Sequence, residues 1–258
     1  MRLTSPPRNS AAVDRLRQVP VVAAFATSVR PIVDAVAFYA GGSLASGDFH
    51  PGVSDFDLVA VIAAELDAQR CRRLRELHTS LRRTEPSAAK LHCDYVPQHD
   101  LTDLATPHLR WAHGELYRHP LSGIARAELL QGGITIYGPP PADLVPPLDL
   151  AATQAAARAE LTGYWAGATR KAHLWRQDVY VDLGLLTLAR AEALLSEGRL
   201  ITKAEALTRL DRFGVDPELT DEIGRRRRGE TVGLTTRQRL RRAYTARCMV
   251  ADGIRRLR

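Results

Sequence analysis

A proline-rich segment divides the chain into two halves of different character. Residues 138–149, GPPPADLVPPLD, contain five prolines, which cannot continue a helix or pair within a central strand. Before this segment, short apolar runs alternate with helical stretches, and after it apolar residues recur at helical spacing. At 258 residues the chain is also longer than a typical single domain. We therefore expect an α+β domain over residues 1–140 and an all-helical domain over residues 141–258.

Four apolar runs in the first half have the length and composition of strands. They are AVAFYA (35–40), FDLVAVI (56–62), AKLHCDYV (89–96) and GITIYG (133–138), and the helical stretch AELDAQRCRRLRELHTSLRR follows the second run. In the second half the helical periodicity extends over about 151–173, 178–197, 202–213 and 235–256. These segments predict a sheet with helices, followed by a helical bundle.

Composition places the chain among soluble globular proteins. Apolar residues make up 45% and charged residues 25% of the sequence. No apolar run reaches the length of about 18 residues needed to span a membrane, and the start, MRLTSPPRNS, lacks the apolar segment of a signal peptide. The three cysteines, Cys71, Cys93 and Cys248, are scattered and form no CxxC pair. We expect a cytoplasmic protein with no membrane partner, no disulfide framework and no zinc site.

The net charge of +7 favours polyanionic ligands. Many of the basic residues are arginines near the end of the chain, including the run from Arg225 to Arg228. Two interpretations stay open for them. They form a solvated basic face, or they form a docking surface for a polyanion such as nucleic acid. The absence of interleaved aromatic residues makes nucleic acid the less favoured partner.

The stretch GGSLASGDFHPGVSDFDLVAVI, residues 41–62, joins the first two predicted strands. A tight turn at Gly41-Gly42-Ser43 that leads into a short helix would direct backbone N–H groups and the Ser43 hydroxyl toward one spot. Such an arrangement forms a cradle for an anion. Glycine-rich turns followed by Ser-Asp also occur as ordinary turn and cap chemistry, so the turn alone does not define a site.

Asp55 and Asp57 lie one residue apart at the start of the second predicted strand. Residues two apart on a strand share a face, so the two carboxylates project together. Like charges held this close repel each other unless a cation lies between them. A hard divalent cation, most naturally Mg²⁺ with phosphate oxygens completing its octahedron, resolves that conflict.

This stretch resembles the GS-x(about 10)-DxD signature of the polymerase-β-like nucleotidyltransferase superfamily, with twelve residues from Ser43 to Asp55. It is most similar to the aminoglycoside adenylyltransferases, enzymes of antibiotic resistance that modify streptomycin and spectinomycin. The resemblance extends over nearly the whole chain. It implies a nucleotidyltransferase domain with a mixed sheet, then an all-helical domain, with ATP as co-substrate and Mg²⁺ bound in the cleft between them.

The resemblance assigns roles to residues of the first half. Gly42 belongs to the turn, Ser43 matches the serine that contacts the triphosphate, and Ser54 matches the serine before the metal pair. Asp55 and Asp57 match the metal-binding aspartates.

A third acidic residue is expected on a later strand, and Asp94 fits that position by pattern. It would take the acceptor proton as general base or complete the metal site with Asp55 and Asp57. The alternative is a strand-end carboxylate that faces solvent.

The second half contains two cations and a possible acceptor site. LTLAR and LITKAEA resemble family motifs that place Arg190 and Lys203 on the ATP phosphates, although a helix-surface role stays open for each. WRQDVYVDL offers Trp175, Asp178 and Asp182 for a cationic aminosugar, at an offset that differs from that of the family. A packing role for Trp175 and a role at a helix N-terminus for Asp178 stay open.

The most favoured function is therefore Mg²⁺-dependent transfer of AMP from ATP to a hydroxyl of a small acceptor, most naturally an aminoglycoside-type compound, by a monomer. Two alternatives stay open. In one, the chain adenylylates a protein or an RNA. In the other, it is a non-catalytic nucleotide-binding module.

Overall fold

The computed structural model describes residues 14–103 and 105–257 and forms two compact units, the first ending at Pro147 and the second beginning at Leu148. The boundary thus follows the predicted position, residue 140, by seven residues. The reason is Val145, which is buried in the apolar cluster on one face of the first unit's sheet. Part of the proline-rich segment therefore belongs to the first unit.

The first unit contains a six-stranded mixed sheet. Its strands are β1 (Ala35–Ala40), β2 (Phe56–Ile62), β3 (Leu91–Pro97), β4 (His108–Ala112), β5 (Glu115–His119) and β6 (Ile134–Tyr137). Their order across the sheet is β5-β4-β3-β2-β1-β6. Strands β2 and β3 pair in parallel, and all other neighbours pair antiparallel. The four strands predicted from apolar runs are all present, and the predicted fold class is confirmed.

Both faces of the sheet are covered in its centre. Alternate residues of β2, such as Leu58, pack on one face against an apolar cluster that includes Phe25 and Leu74. The residues between them, such as Val59, pack on the other face with Leu129. Burial on both faces explains why FDLVAVI is a nearly continuous apolar run, with Asp57 as its one charged residue.

The helices of this unit are α1 (Pro20–Val33), α2 (Gly42–Ser46), α3 (Ala68–Thr84), α4 (Gly123–Gly132) and α5 (Pro141–Leu144), with 3₁₀ turns at Pro86–Lys90 and Gln98–Thr102. Helix α3 begins where Asp67 accepts a hydrogen bond from the backbone N–H of Arg70 at 2.7 Å. The helix therefore begins at Ala68, four residues after Ala64, where the predicted helical stretch begins.

Strands β4 and β5 form a hairpin that the sequence analysis did not predict. Its turn contains His113 and Gly114, which both have positive φ, at 54° and 89°. Consecutive residues with positive φ are typical of tight hairpin turns. The strand HLRWA alternates polar and apolar residues over its first four positions, and this short alternation is the signal that could have predicted it.

The second unit is helical. Its α-helices are α6 (Leu150–Glu160), α7 (Ala166–Thr169), α8 (Asp178–Glu197), α9 (Lys203–Leu207), α10 (Pro217–Arg227) and α11 (Thr236–Leu257), with a π-helical turn at Leu161–Trp165 and 3₁₀ turns at Leu174–Arg176 and Leu210–Phe213. The bounds of α8 match the predicted segment. Helix α10 was not predicted, although Asp216 caps its first turn by accepting from the N–H of Leu219 at 2.8 Å.

Helix α8 lies at the centre of the second unit and buries residues on several sides, including Val181, Leu185 and Leu188. Helix α11 packs closely on it, because a Cβ at Gly253 would lie 2.4 Å from Leu188 Cδ2. Among the described residues, no helix is long and apolar enough to cross a bilayer.

Candidate functional site

The Gly41–Ser43 turn is joined to the start of β2. The backbone N–H of Gly41 donates to the carbonyl of Asp57 at 2.7 Å. Helix α2 begins at Gly42 and ends at Ser46, and the N–H of its cap residue, Gly47, donates to the carbonyl of Ser43. The carbonyl of Ser43 also accepts from the N–H of Asp48 at 2.9 Å. The turn, the short helix and the start of β2 are therefore one connected structure, and the predicted short helix after the turn is present.

Gly42 is required at its position for two reasons. Its φ is +55°, a conformation that a residue with a Cβ adopts only at a cost. A Cβ at this position would also lie 2.1 Å from Asp57 Oδ2 and 2.9 Å from Asp57 Cγ. The carboxylate of Asp57 therefore occupies the space that a side chain at residue 42 would need.

Asp57 projects from the face opposite Phe56, which points into the core. Asp55 directly precedes β2, and its charge acts on His92, the residue paired with Asp57 on that face. Asp57 is exposed and Asp55 is half-exposed. Lys90, which the sequence analysis did not single out, has its Nζ 3.4 Å from Asp55 Oδ1 and donates to the carbonyl of Val53 at 3.1 Å. The carboxylate pair thus has a cation beside it, provided from the 3₁₀ turn that precedes β3.

Ser54 shapes the loop that leads into the carboxylate pair. Its hydroxyl accepts from the backbone N–H of His50 at 3.0 Å, and its own N–H donates to the carbonyl of His50 at 2.9 Å. These two bonds close the loop on itself. The predicted contact of Ser54 with a nucleotide stays a prediction.

Asp94 lies on β3, on the same face as Asp57 but not directly opposite it. Its partner on β2 is Val59, one side-chain position beyond Asp57 on the same face. Its carboxylate lies 3.3 Å from Arg110 Nη1 and 3.6 Å from the buried His108 Nε2. No group of three potential metal-binding side chains exists among residues 14–103 and 105–257. The two roles predicted for Asp94, a third metal ligand beside Asp55 and Asp57 or the general base, both stay predictions.

His92, and not Asp94, is the β3 residue paired with Asp57. Its buried ring lies 4.6 Å from the ring of His113, centroid to centroid. Burial lowers the pKa of His92 to about 4; the negative charge of Asp55 opposes this shift, and neighbouring positive groups add to it. Its sequence context alone, without HxH or HExxH spacing, is that of an ordinary polar residue. The available signal was its spacing of two from Asp94, which places both side chains on one face.

In the second unit, the two predicted phosphate-binding cations lie at one loop. Arg190 Nε donates to the carbonyl of Ile201 at 2.9 Å. Lys203 follows two residues later as the first residue of α9, after Thr202, whose side chain caps that helix. The fold therefore brings the side chain of Arg190 to the loop that leads into Lys203, thirteen residues further along the sequence.

Asp178 and Asp182, the predicted acceptor-binding acids, belong to a network with arginines of α10 and α11. Arg226 holds Asp182 with two bonds, Nε to Oδ2 at 2.8 Å and Nη2 to Oδ1 at 2.7 Å. Burial raises the pKa of Asp182, and the bonds from Arg226 oppose that rise. Because both carboxylate oxygens accept a bond from a guanidinium, we take Asp182 as ionised.

The same network continues to Asp178 and Glu222. Arg242 donates to Asp178 and lies 3.3 Å from Glu222 Oε2, and Arg239 Nη1 lies 3.4 Å from Asp178 Oδ1. Arg226 Nη1 lies 3.4 Å from the same Glu222 oxygen. The network therefore contains three carboxylates and three guanidinium groups.

Trp175 is fully buried. Its Nε1–H donates to the carbonyl of Ala168 at 3.0 Å, and a Cβ at Gly184 of α8 would lie 2.7 Å from its ring. The prediction that Trp175 presents a ring face to an acceptor is therefore wrong, because the ring is enclosed by its own unit. It packs the π-helical turn and α8 together through Trp165 and Gly184.

Comparison with known proteins identifies a structural neighbour. No family model and no curated protein sequence matches the chain. Among solved structures, spectinomycin adenyltransferase from Enterococcus faecialis, solved with ATP and spectinomycin, matches with a TM-score of 0.65 and 16% sequence identity. The match covers 92% of this chain and 98% of that chain. At this identity the likeness establishes the fold, and the chain is thus adenyltransferase-like in fold over nearly its whole length.

Proposed function

We propose that the protein transfers AMP from ATP to a hydroxyl group of a small acceptor, with Mg²⁺ bound by Asp55 and Asp57. The observation that carries this proposal is the position of Asp57. Its carboxylate fills the space left by Gly42, at the end of a turn that the Gly41–Asp57 hydrogen bond attaches to the same strand. The fold likeness to an adenyltransferase solved with ATP supports it.

The residues present fit Mg²⁺. This ion is usually held by one or two carboxylates, with water and substrate phosphate oxygens in its other positions. Asp55 and Asp57 provide two carboxylates on one face, with Asp57 exposed. A third protein ligand is not needed for such a site. When bound, Mg²⁺ would neutralise charge on the phosphates and orient them for in-line attack.

In the transfer, the acceptor oxygen forms a bond to the α-phosphorus of ATP, and the bond from that phosphorus to the bridging oxygen breaks. Pyrophosphate leaves, and the hydroxyl proton passes to a base. Asp94 is the base that the family resemblance predicts, and His92 is the alternative that the register adds, because it is the residue paired with Asp57. Arg190 and Lys203 would bind the polyphosphate as charge-neutralising cations.

Replacement of Asp57 by asparagine tests the proposal. The amide keeps the shape of the side chain but loses the charge that holds Mg²⁺, so Asp57→Asn should abolish transfer and leave the fold intact. The assay is pyrophosphate release from ATP with Mg²⁺ and a panel of aminoglycosides and other hydroxylated metabolites. Calorimetry should also show that the variant loses Mg²⁺-dependent binding of an inert ATP analogue.

The matched control is Asp14→Asn, because Asp14 is an exposed aspartate whose ion pair, with Arg17, lies on the surface. Full transfer activity in Asp57→Asn, or equal losses in the two variants, would refute the assignment.

Charge distribution supports a macromolecular acceptor as the second candidate. Residues 148–258 contain 21 Lys and Arg against 14 Asp and Glu, so the whole excess of +7 belongs to the second unit. A protein that docks on RNA through such a surface should bind it with an affinity that falls steeply as salt rises. Weak RNA binding without that salt dependence would remove this candidate.

A further inference from the structure

The acids of the second unit that were expected to attract a cationic acceptor are already paired. The acid–arginine network, defined as Asp178, Asp182, Glu222, Arg226, Arg239 and Arg242, has a formal charge of zero. Its most enclosed pair is Arg226 with Asp182, whose side chains are 12% and 16% exposed. Both oxygens of Asp182 accept bonds from the one guanidinium.

A guanidinium or ammonium group of a ligand would have to replace Arg226 to reach Asp182. The arginine is held on α10 in the same unit, so it competes without the entropy cost that a free ligand pays. Displacement would also leave a mostly buried guanidinium without its doubly bonded carboxylate, with Glu222 at 3.4 Å, and a buried charge that loses its partner is strongly destabilising. Arg226 therefore prevents a cationic group of a ligand from binding Asp182.

We propose that Arg226 is a specificity-determining residue that keeps Asp182 from binding cationic groups of the acceptor, so that the acceptor is a hydroxylated compound recognised without a cation at this position. The inference rests on the proposed function, since it concerns the acceptor of that reaction. An internal group that repels unwanted ligands is a common way to obtain specificity. The basic excess of the second unit acts in the same direction, because it disfavours a polycation.

The test is calorimetric binding of streptomycin, an aminoglycoside that carries guanidinium groups, in the presence of an inert ATP analogue. Arg226→Gln should bind it about 10- to 100-fold more tightly than the unchanged protein, because Asp182 becomes available for a charge-assisted hydrogen bond. The matched control is Arg225→Gln. It removes the same charge from the neighbouring position of α10, where the arginine pairs with Glu230 and not with Asp182.

Asp182→Asn provides the second arm. Combined with Arg226→Gln, it should cancel the gain in affinity. Alone, it should leave streptomycin affinity unchanged, because Arg226 already occupies the carboxylate. If Arg226→Gln does not fold by circular dichroism, the Asp182→Asn variant decides alone, because it should leave streptomycin affinity unchanged where Arg226 occupies the carboxylate.

The inference is overturned if the Arg226 variant binds streptomycin no more tightly than Arg225→Gln. It is also overturned if Asp182→Asn alone weakens binding tenfold or more. These measurements involve no turnover. A failure of the proposed function would appear separately, as absence of pyrophosphate release with every acceptor.

Discussion

Replacement of Gly42 by alanine separates the role of the glycine turn in the site from its role in the fold. Gly42 and Gly47 flank the same short helix and have φ values of +55° and +80°. Alanine in this left-handed region costs about 1–2 kcal/mol at either position. For a unit of roughly 150 residues, 1 kcal/mol corresponds to about 2–4 °C in Tm. We expect both variants to lose about 2–8 °C, by similar amounts.

The two positions differ in what the added methyl group meets. At Gly47 nothing lies within 4 Å, whereas at Gly42 the Cβ would lie 2.1 Å from Asp57 Oδ2, and real Cβ contacts essentially never fall below 3.0 Å. The Asp57 carboxylate must therefore move by about 1 Å, a displacement that costs roughly 100-fold in rate when the moved group orients the reaction. Gly42→Ala should lose about 100-fold in transfer, and Gly47→Ala only a few-fold.

The assays are thermal unfolding followed by circular dichroism and pyrophosphate release from ATP with Mg²⁺, on the two variants in parallel. Equal activity of the two variants, at equal losses in Tm, would refute the reasoning, because it would show that the position of Asp57 does not matter for transfer. Mg²⁺-dependent binding of an inert ATP analogue gives an independent readout, and only Gly42→Ala should weaken it.

Two further predictions concern stability. Burial lowers the pKa of His78 to about 3 from an ordinary 6.5. As pH falls, the unfolded chain therefore takes up the proton before the folded chain does. The stability that the neutral ring provides is fully present above pH 6.5 and is lost as pH falls toward 3. Urea denaturation should show a loss of about 2 kcal/mol between pH 7 and pH 5 from this group, reduced in His78→Gln but not in the exposed control His119→Gln. Trp175→Ala should cost about 3–5 kcal/mol in unfolding free energy because it empties a buried site, and unchanged stability would contradict the packing role of Trp175.

Much of the fold follows from patterns among near neighbours in the chain. The runs AVAFYA and FDLVAVI coincide with β1 and β2, and the periodic segment 178–197 coincides with α8. Strand periodicity also places Asp55 and Asp57 on one face, because side chains two apart always share a face. The glycine turn before them was predicted from residue types alone, since positive φ favours glycine.

Only the tertiary structure decides which distant residues meet. The register of β2 on β3 pairs Asp57 with His92 and Val59 with Asp94. The sequence pattern does not reveal this register, because it would be the same if the two strands were shifted along each other. Likewise, the spacing of Asp178 and Asp182 places them on one helix face. Arg226, 44 residues beyond Asp182, neutralises that carboxylate only because α10 packs beside α8. Local periodicity determines which face a side chain takes, whereas long-range packing determines what it finds there.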